Sequence, residues 1–136
     1  MRLPAEAEWE KAAGWDPAAR RKRVYAWGDG WDEEKSNTDE GGVGRTSAVG
    51  VFPAGTAACG ALDMTGNVWE WTLSLYRGYP YKPGDGREDP LAEGARTLRG
   101  GSWYLTRRNA RVSYRGDVPP DYFFHDIGFR VVCSPV

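Results

Sequence analysis

The residues that could hold a hard cation in this chain of 136 residues gather in one short stretch, Asp63-Met64-Thr65-Gly66-Asn67-Val68-Trp69-Glu70. Calcium takes carboxylate and carbonyl oxygens that converge from a short, sharply turning loop, and Asp63, Gly66, Val68 and Glu70 supply such a set. A competing reading has Asp63 cap a turn and Glu70 pair with an arginine. Soft-metal chemistry is less well supplied. The two cysteines, Cys59 and Cys133, lie far apart, without the close spacing of a zinc site or a CxxC redox pair. We expect two buried thiols, with a disulfide between them left open. The one histidine, His125, reads as an ordinary surface or loop residue.

The elements that must position these residues are short. Seven Trp, seven Tyr and eighteen Gly put much of the bulk into rings set between turn formers, which favours short strands and long loops over helices. The spacing of Ala5, Trp9, Ala12 and Ala13 predicts a helix from Pro4 to Ala13, with Trp9 as a core anchor and Gly14 closing it. Residues 14–60 show no sustained period, only turn punctuation and the apolar patch Val49 to Phe52. They read as a long ordered loop, which bound cations are one means of pinning. Val68 to Leu73 alternates as a strand, with Trp69, Trp71 and Leu73 on one face. Residues 84–94 read as an exposed loop, and Gly100-Gly101 as a bulge or a close backbone approach. Arg111 to Arg115 and Gly128 to Cys133 are two further strand candidates, the second placing Phe129, Val131 and Cys133 on one side.

The length suits one domain. A formal net charge of −1, with the basic cluster at Arg20 to Arg23 offset by the acidic run Asp29 to Glu34, leaves no footprint for nucleic acid. No stretch reaches the roughly 18 apolar residues of a membrane span, and no apolar signal core follows the first basic residue. The chain is expected to be soluble, with no membrane partner and cytoplasmic by default.

Four segments in order carry a resemblance to a known family. They are Arg2-Leu3-Pro4-Ala5-Glu6-Ala7-Glu8-Trp9-Glu10, Asp63-Met64-Thr65-Gly66-Asn67-Val68-Trp69-Glu70-Trp71-Thr72, Leu98-Arg99-Gly100-Gly101-Ser102-Trp103 and Ile127-Gly128-Phe129-Arg130. Together they resemble the formylglycine-generating-enzyme, or sulfatase-modifying-factor, family. That resemblance implies an irregular, loop-rich α+β fold related to C-type lectins. Family members carry a segment before the Arg-Leu-Pro helix with strands that complete the sheet. The chain therefore resembles a C-terminal portion, whose sheet a partner chain or segment would complete.

The resemblance also implies site residues. Calcium would be held by the side chains of Asp63 and Glu70 and the carbonyls of Gly66 and Val68. A second calcium site would use Asn37 and the carbonyl of Thr38, with its acidic loop shortened to Glu40 to Arg45. The family oxidase binds copper through two cysteines, whose positions here are Leu105 and Ala110. Neither can ligate Cu(I), so copper and the oxidase activity are not expected. A related enzyme class, the ergothioneine-type sulfoxide synthases, holds iron largely through histidines of a separate preceding domain. A fragment of either oxidoreductase is the alternative to a third, non-catalytic branch that displays a binding surface and includes diversified variable proteins. Its ligand-facing positions match Tyr104, Leu105, Thr106, Gly116, Asp117, Tyr122, Phe123, Phe124 and His125. Rigid rings suit such a surface because they give contact area at low entropic cost. The competing reading packs Phe123 and Phe124 under a loop held by Pro119 and Pro120, and makes Arg99, Arg111, Arg115 and Arg130 framework struts.

Overall fold

The computed structural model describes residues 1–133 and shows one helix against a small sheet, with loops carrying most of the chain. Helix α1 spans Glu6–Gly14. It starts two residues later than Pro4 suggests because Ala5 is its extended N-cap residue, whose N–H donates to the Glu8 carboxylate at 2.8 Å. That bond satisfies an amide at a helix entrance, and Glu8 also complements the positive end of the dipole. Trp9 and Ala13 are fully buried and form a core with Ala26, Ala57, Met64 and Val112. Gly14 ends the helix where a Cβ would sit 2.6 Å from Val112 Cγ1, so the missing side chain lets Val112 close on the helix.

Two short strands, β1 (Trp15–Asp16) and β2 (Arg21–Lys22), pair antiparallel inside the stretch read as loop. They are too short to leave a periodic signal. Single 3₁₀ turns at Glu33–Lys35, Asp39–Gly41 and Pro53–Gly55 complete that stretch, and Val49 and Val51 of the apolar patch are exposed. The main sheet holds β3 (Trp69–Leu75), β4 (Arg96–Arg99), β5 (Gly116–Val118) and β6 (Ile127–Phe129) in the order β5-β4-β3-β6. Only the β3–β6 pair is parallel. Arg111 to Arg115 is not a strand. Val112 N–H bonds to Val24 O at 2.8 Å and Tyr114 N–H turns back to Arg111 O at 2.9 Å, so sheet pairing begins only at Gly116. The last strand stops at Phe129, after which Val132 bridges Arg2.

The face of β3 and β4 that meets α1 is polar. Glu70, Thr72, Ser74, Thr97 and Arg99 are all buried there, while Trp71 and Leu73 on the opposite face are only half-buried. Buried polar groups must be paired, and the helix pairs them. Ser74 Oγ accepts the Glu6 N–H at 2.9 Å, and the Trp9 indole N–H donates to Glu70 at 2.6 Å. Arg115 donates to Glu6 at 2.8 Å, and Arg99 pairs with both Glu6 and Glu10. The Arg115 guanidinium lies over the rings of Tyr76 and Tyr79, 4.4 and 4.7 Å from their centroids. Arg99, Arg115 and Arg130 are thus the struts the sequence suggests. Arg111 is not, since its Nε donates only to Arg108 O.

Candidate functional site

After β4 the chain turns at Gly100 and Gly101, both with positive φ. A Cβ at Gly101 would lie 2.9 Å from the Ala110 Cα, so this is the close backbone approach the glycine pair predicts. The turn delivers Trp103 and Tyr104 to the surface, and two later turns raise the partner rings. Tyr122 N–H bonds to Pro119 O at 3.0 Å, and Ile127 N–H to Phe124 O at 3.2 Å.

The rings converge into one row. Tyr104 and His125 have centroids 6.2 Å apart, His125 and Phe124 4.0 Å, and Phe124 and Tyr122 6.5 Å. Trp103 backs the row, 5.5 Å from Tyr104 and 5.1 Å from His125. Tyr104, Tyr122, Phe123, Phe124 and His125 are exposed, with Phe123 at 88 %, so the reading that tucks both phenylalanines under a loop does not hold. Thr106 is exposed beside Tyr104, and half-buried Leu105 ties the region to the long loop by accepting the Asp39 N–H at 3.0 Å.

Gly116, Asp117 and Tyr122 line an adjoining cavity of about 230 Å³ with Trp69, Leu98, Val118, Asp126 and Ile127. Asp126 is buried, and its Oδ2 accepts the Ser102 hydroxyl at 2.6 Å. The structure brings Tyr104, Tyr122, Phe124 and His125 into the ring row and Gly116, Asp117 and Tyr122 to the cavity, while Leu105, Thr106 and Phe123 lie outside both. Trp103 lies outside that set and packs behind the row. Its indole N–H is buried with no hydrogen-bond partner among the described residues. Its position directly after Gly-Gly-Ser was the available signal.

The metal candidates fall into two places. Asp63, Asn67, Val68 and Glu70 border a cavity of about 380 Å³ together with Phe129 and Arg130. Asp63 sits at φ 52°, its Oδ2 accepting the Gly50 N–H at 2.8 Å. Glu70 is already engaged, because Arg130 donates to both its oxygens at 2.5 and 2.6 Å and Trp9 to one of them. Arg130 also reaches Leu62 O and Asp63 O, at 3.0 and 3.3 Å. This is the arginine pairing weighed against calcium at Glu70.

Asn37 and Thr38 lie in the second place. A bridge joins Asn37 to Gly66, and a Cβ at Gly66 would come 2.4 Å from Asn37 O, so glycine is what allows the two segments to touch. Asn37 Nδ2 donates to Arg45 O, Ser47 Oγ and Asn67 Oδ1, yet Asn37 Oδ1, Ser36 Oγ and Thr38 Oγ1 are buried without partners among the described residues. Oxygens buried without partners are what a hard cation or a buried water would satisfy. Copper does not fit its family position. Leu105 and Ala110 have no side-chain donor atom, and Ala110 is fully buried. Cys59 and Cys133 are free and exposed rather than buried, because Cys59 sits on a surface loop against Ala12 O and Cys133 follows the last bridge of the chain.

Strongly shifted titrations lie elsewhere, at Arg99 on β4, which burial lowers to about 10, and on the loop after β3. A side-chain hydrogen bond from Arg87 holds the Asp85 carboxyl at about 2, and burial followed by the Glu88 hydrogen bond pushes the Tyr81 hydroxyl up to about 12.

The family model of the sulfatase-modifying factor enzyme 1-like domain matches residues 1–135. Hercynine oxygenase of Mycolicibacterium thermoresistibile is 45% identical over 122 residues, covering 84% of this chain and 27% of that protein. The inactive C-alpha-formylglycine-generating enzyme 2 of Mus musculus is 33% identical over 148 residues, covering 98% of this chain and 43% of that protein. Among solved structures, Treponema denticola variable protein 1 superposes with a TM-score of 0.75 at 27% identity, over 94% of this chain and 45% of its own. The chain thus spans less than half the length of each of these relatives. No helix among the described residues is long and apolar enough to cross a membrane.

Proposed function

The chain belongs to the family of sulfatase-modifying factor enzyme 1-like domains, and on that premise we propose that it is a recognition domain whose ligand lies across Tyr104, His125, Phe124 and Tyr122. The observation that supports this most is the exposed ring row itself. Large rings left in water cost hydrophobic free energy unless a ligand covers them, and here four stand together on one surface. Trp103 backs the row and supports it through ring contacts with Tyr104 and His125. Leu105 and Ala110 lack the thiols of the oxidase, which favours binding over that chemistry. Calcium belongs to the same proposal as a structural ion. Asn37 and the Thr38 carbonyl form the better-supported place, and Asp63, Gly66, Val68 and Glu70 the second.

A second reading is favoured by the 45% identity to hercynine oxygenase. The chain would then form one wall of an oxidoreductase's substrate cleft, and groups beyond this chain would supply the reacting centre. A strand completing the sheet would add along β6, where Phe129 is 69% exposed.

The test is a chemical-shift screen of a fragment library against the chain and a Tyr104→Ser/Phe124→Ser double variant. Hits that perturb residues 103–106 and 116–126, and that the double variant loses while keeping its melting temperature, support the recognition reading. Hits that cluster anywhere else overturn it. Hercynine turnover by this chain within its full reading frame would transfer the site to the second reading.

A further inference from the structure

A cavity of about 370 Å³ is lined by α1, by the β1–β2 pair and by the loop after β3, and it shares no residue with the ring row or with the two calcium places. We propose that it binds a small apolar monocarboxylate, with the tail against the rings of Trp15, Tyr79 and Tyr81 and the carboxylate on Lys11. The site stands apart from the ring row and does not depend on it. Charge sets the sign of the ligand. Glu6 and Glu10 line the cavity but are already neutralised, Glu6 by Arg115 and Arg99, Glu10 by Arg99 and Lys22. Those pairs leave Lys11, whose ammonium forms no ion pair among the described residues. Even Glu8, one helical turn before it, gives its two oxygens to Arg2 at 2.6 Å.

The tyrosine walls favour the same sign. The Arg115 guanidinium lies 4.7 Å from the Tyr79 ring centroid, and that of Arg87 lies 4.5 Å from the Tyr81 centroid. Each ring thus already serves a cation, whose charge repels a second one brought to the same ring. The rings also set the body of the ligand. Trp15 and Tyr79 are exposed, and exposed rings gain by covering with apolar surface. The Tyr79 and Tyr81 hydroxyls are turned to Glu10 and Glu88, at 3.5 and 2.7 Å, so they offer little to a polar ligand. Ala7 leaves the helix side of the space open. One unpaired cation on an otherwise apolar or satisfied lining matches one anionic head on an apolar tail, whereas a sugar would bury hydroxyls without partners.

The experiment is a heteronuclear NMR titration of the whole chain with 3-phenylpropionate, 3-phenylpropanamide and 3-phenylpropylammonium, read at the backbone amides and the Trp15 indole N–H. Phenylpropionate is expected to shift Ala7, Lys11, Trp15 and Tyr79. Replacing it by the neutral amide, or Lys11 by glutamine in Lys11→Gln, should each weaken binding about fivefold, the size of one exposed ion pair. Ala7→Phe should abolish the shifts by filling the space, and both positions are exposed, so neither variant threatens the fold. Phenylpropylammonium binding as tightly as the acid, affinity unchanged in Lys11→Gln or in Ala7→Phe, or no shift at these residues overturns the inference. The same titration of the Tyr104→Ser/Phe124→Ser variant separates the two sites. Unchanged affinity there supports this cavity, and lost affinity would move the acid to the ring row and overturn it.

Discussion

Arg87 is 1% exposed, yet it carries a full charge, and its environment explains how. Its guanidinium lies 4.5 Å from the Tyr81 ring centroid and donates to both oxygens of Asp85 at 2.8 to 3.1 Å. The pairing holds the Asp85 carboxyl at about 2, below its ordinary value. The sign of the pH dependence follows. The folded protein binds this proton less readily than the unfolded chain, so the pair stabilises the fold above about pH 4, the unfolded value, and that contribution disappears as pH falls toward 2. Acid titration monitored by near-ultraviolet dichroism should therefore show stability declining between about pH 4 and 2. Arg87→Gln should flatten that decline and return the Asp85 titration, read from its carboxyl carbon resonance, to the ordinary aspartate range. A decline of equal size in the variant would assign the acid sensitivity to other carboxylates, Glu8 first, since the Arg2 hydrogen bond lowers its pKa as well.

At the scale of elements, the turn between β4 and the ring row is fixed by two glycines rather than by packing. Gly101 has φ 70° and nearly touches the Ala110 backbone. Gly101→Ala must adopt a left-handed conformation and push that backbone away, and should cost about 2–4 kcal/mol in chemical denaturation. Gly30→Ala, with open space around it, should stay within about 0.5 kcal/mol. This turn was legible in the sequence because paired glycines have few other uses, as were α1 around Trp9 and the core of β3. What escaped has a common physical origin. β1 and β2 are two residues each, too short for alternation to register, and β5 forms where Gly116 lets the chain pass over Leu98 and Trp69 rather than along the apolar spacing of Arg111 to Arg115. The burial of β3 follows its hydrophobic pattern only at Trp69 and Leu75, because Glu70, Thr72 and Ser74 are buried as well, with Glu70 and Ser74 bonded to α1 and Thr72 to Thr97 O. Side-chain hydrogen bonds across 60 or more residues leave no local trace. The residues of the ring row came from the family resemblance rather than from any local pattern, and that their rings converge with Trp103 behind them needed the assembled fold.

Across the whole molecule, the long stretch from Trp15 to Gly60 is held to the body by Ala26 and Ala57 in the core and by a set of polar contacts. Ala26 N–H donates to Thr65 Oγ1, Asn67 N–H to Asn37 O, Gly50 N–H to Asp63, and Asp39 N–H to Leu105 O. Such a frame tolerates little polar vacancy, yet Ser36 Oγ, Asn37 Oδ1 and Thr38 Oγ1 are buried without partners among the described residues. The proposed calcium at Asn37 would engage its orphaned Oδ1 and hold the loop to the Gly66 turn. An ion that binds only the folded chain raises stability by RT ln(1 + [L]/Kd), about 2.7 kcal/mol at a hundredfold excess over Kd. Millimolar calcium should therefore raise the melting temperature, with chelator reversing it. Because Glu70 is already neutralised by Arg130, Glu70→Gln should keep most of the calcium response, whereas Asn37→Ala should lose it. The opposite pattern would move the ion to the Asp63 turn and make Arg130 give way to it. No calcium response in the unaltered chain would leave the orphaned oxygens to buried water, which needs only two to four polar partners and brings no charge.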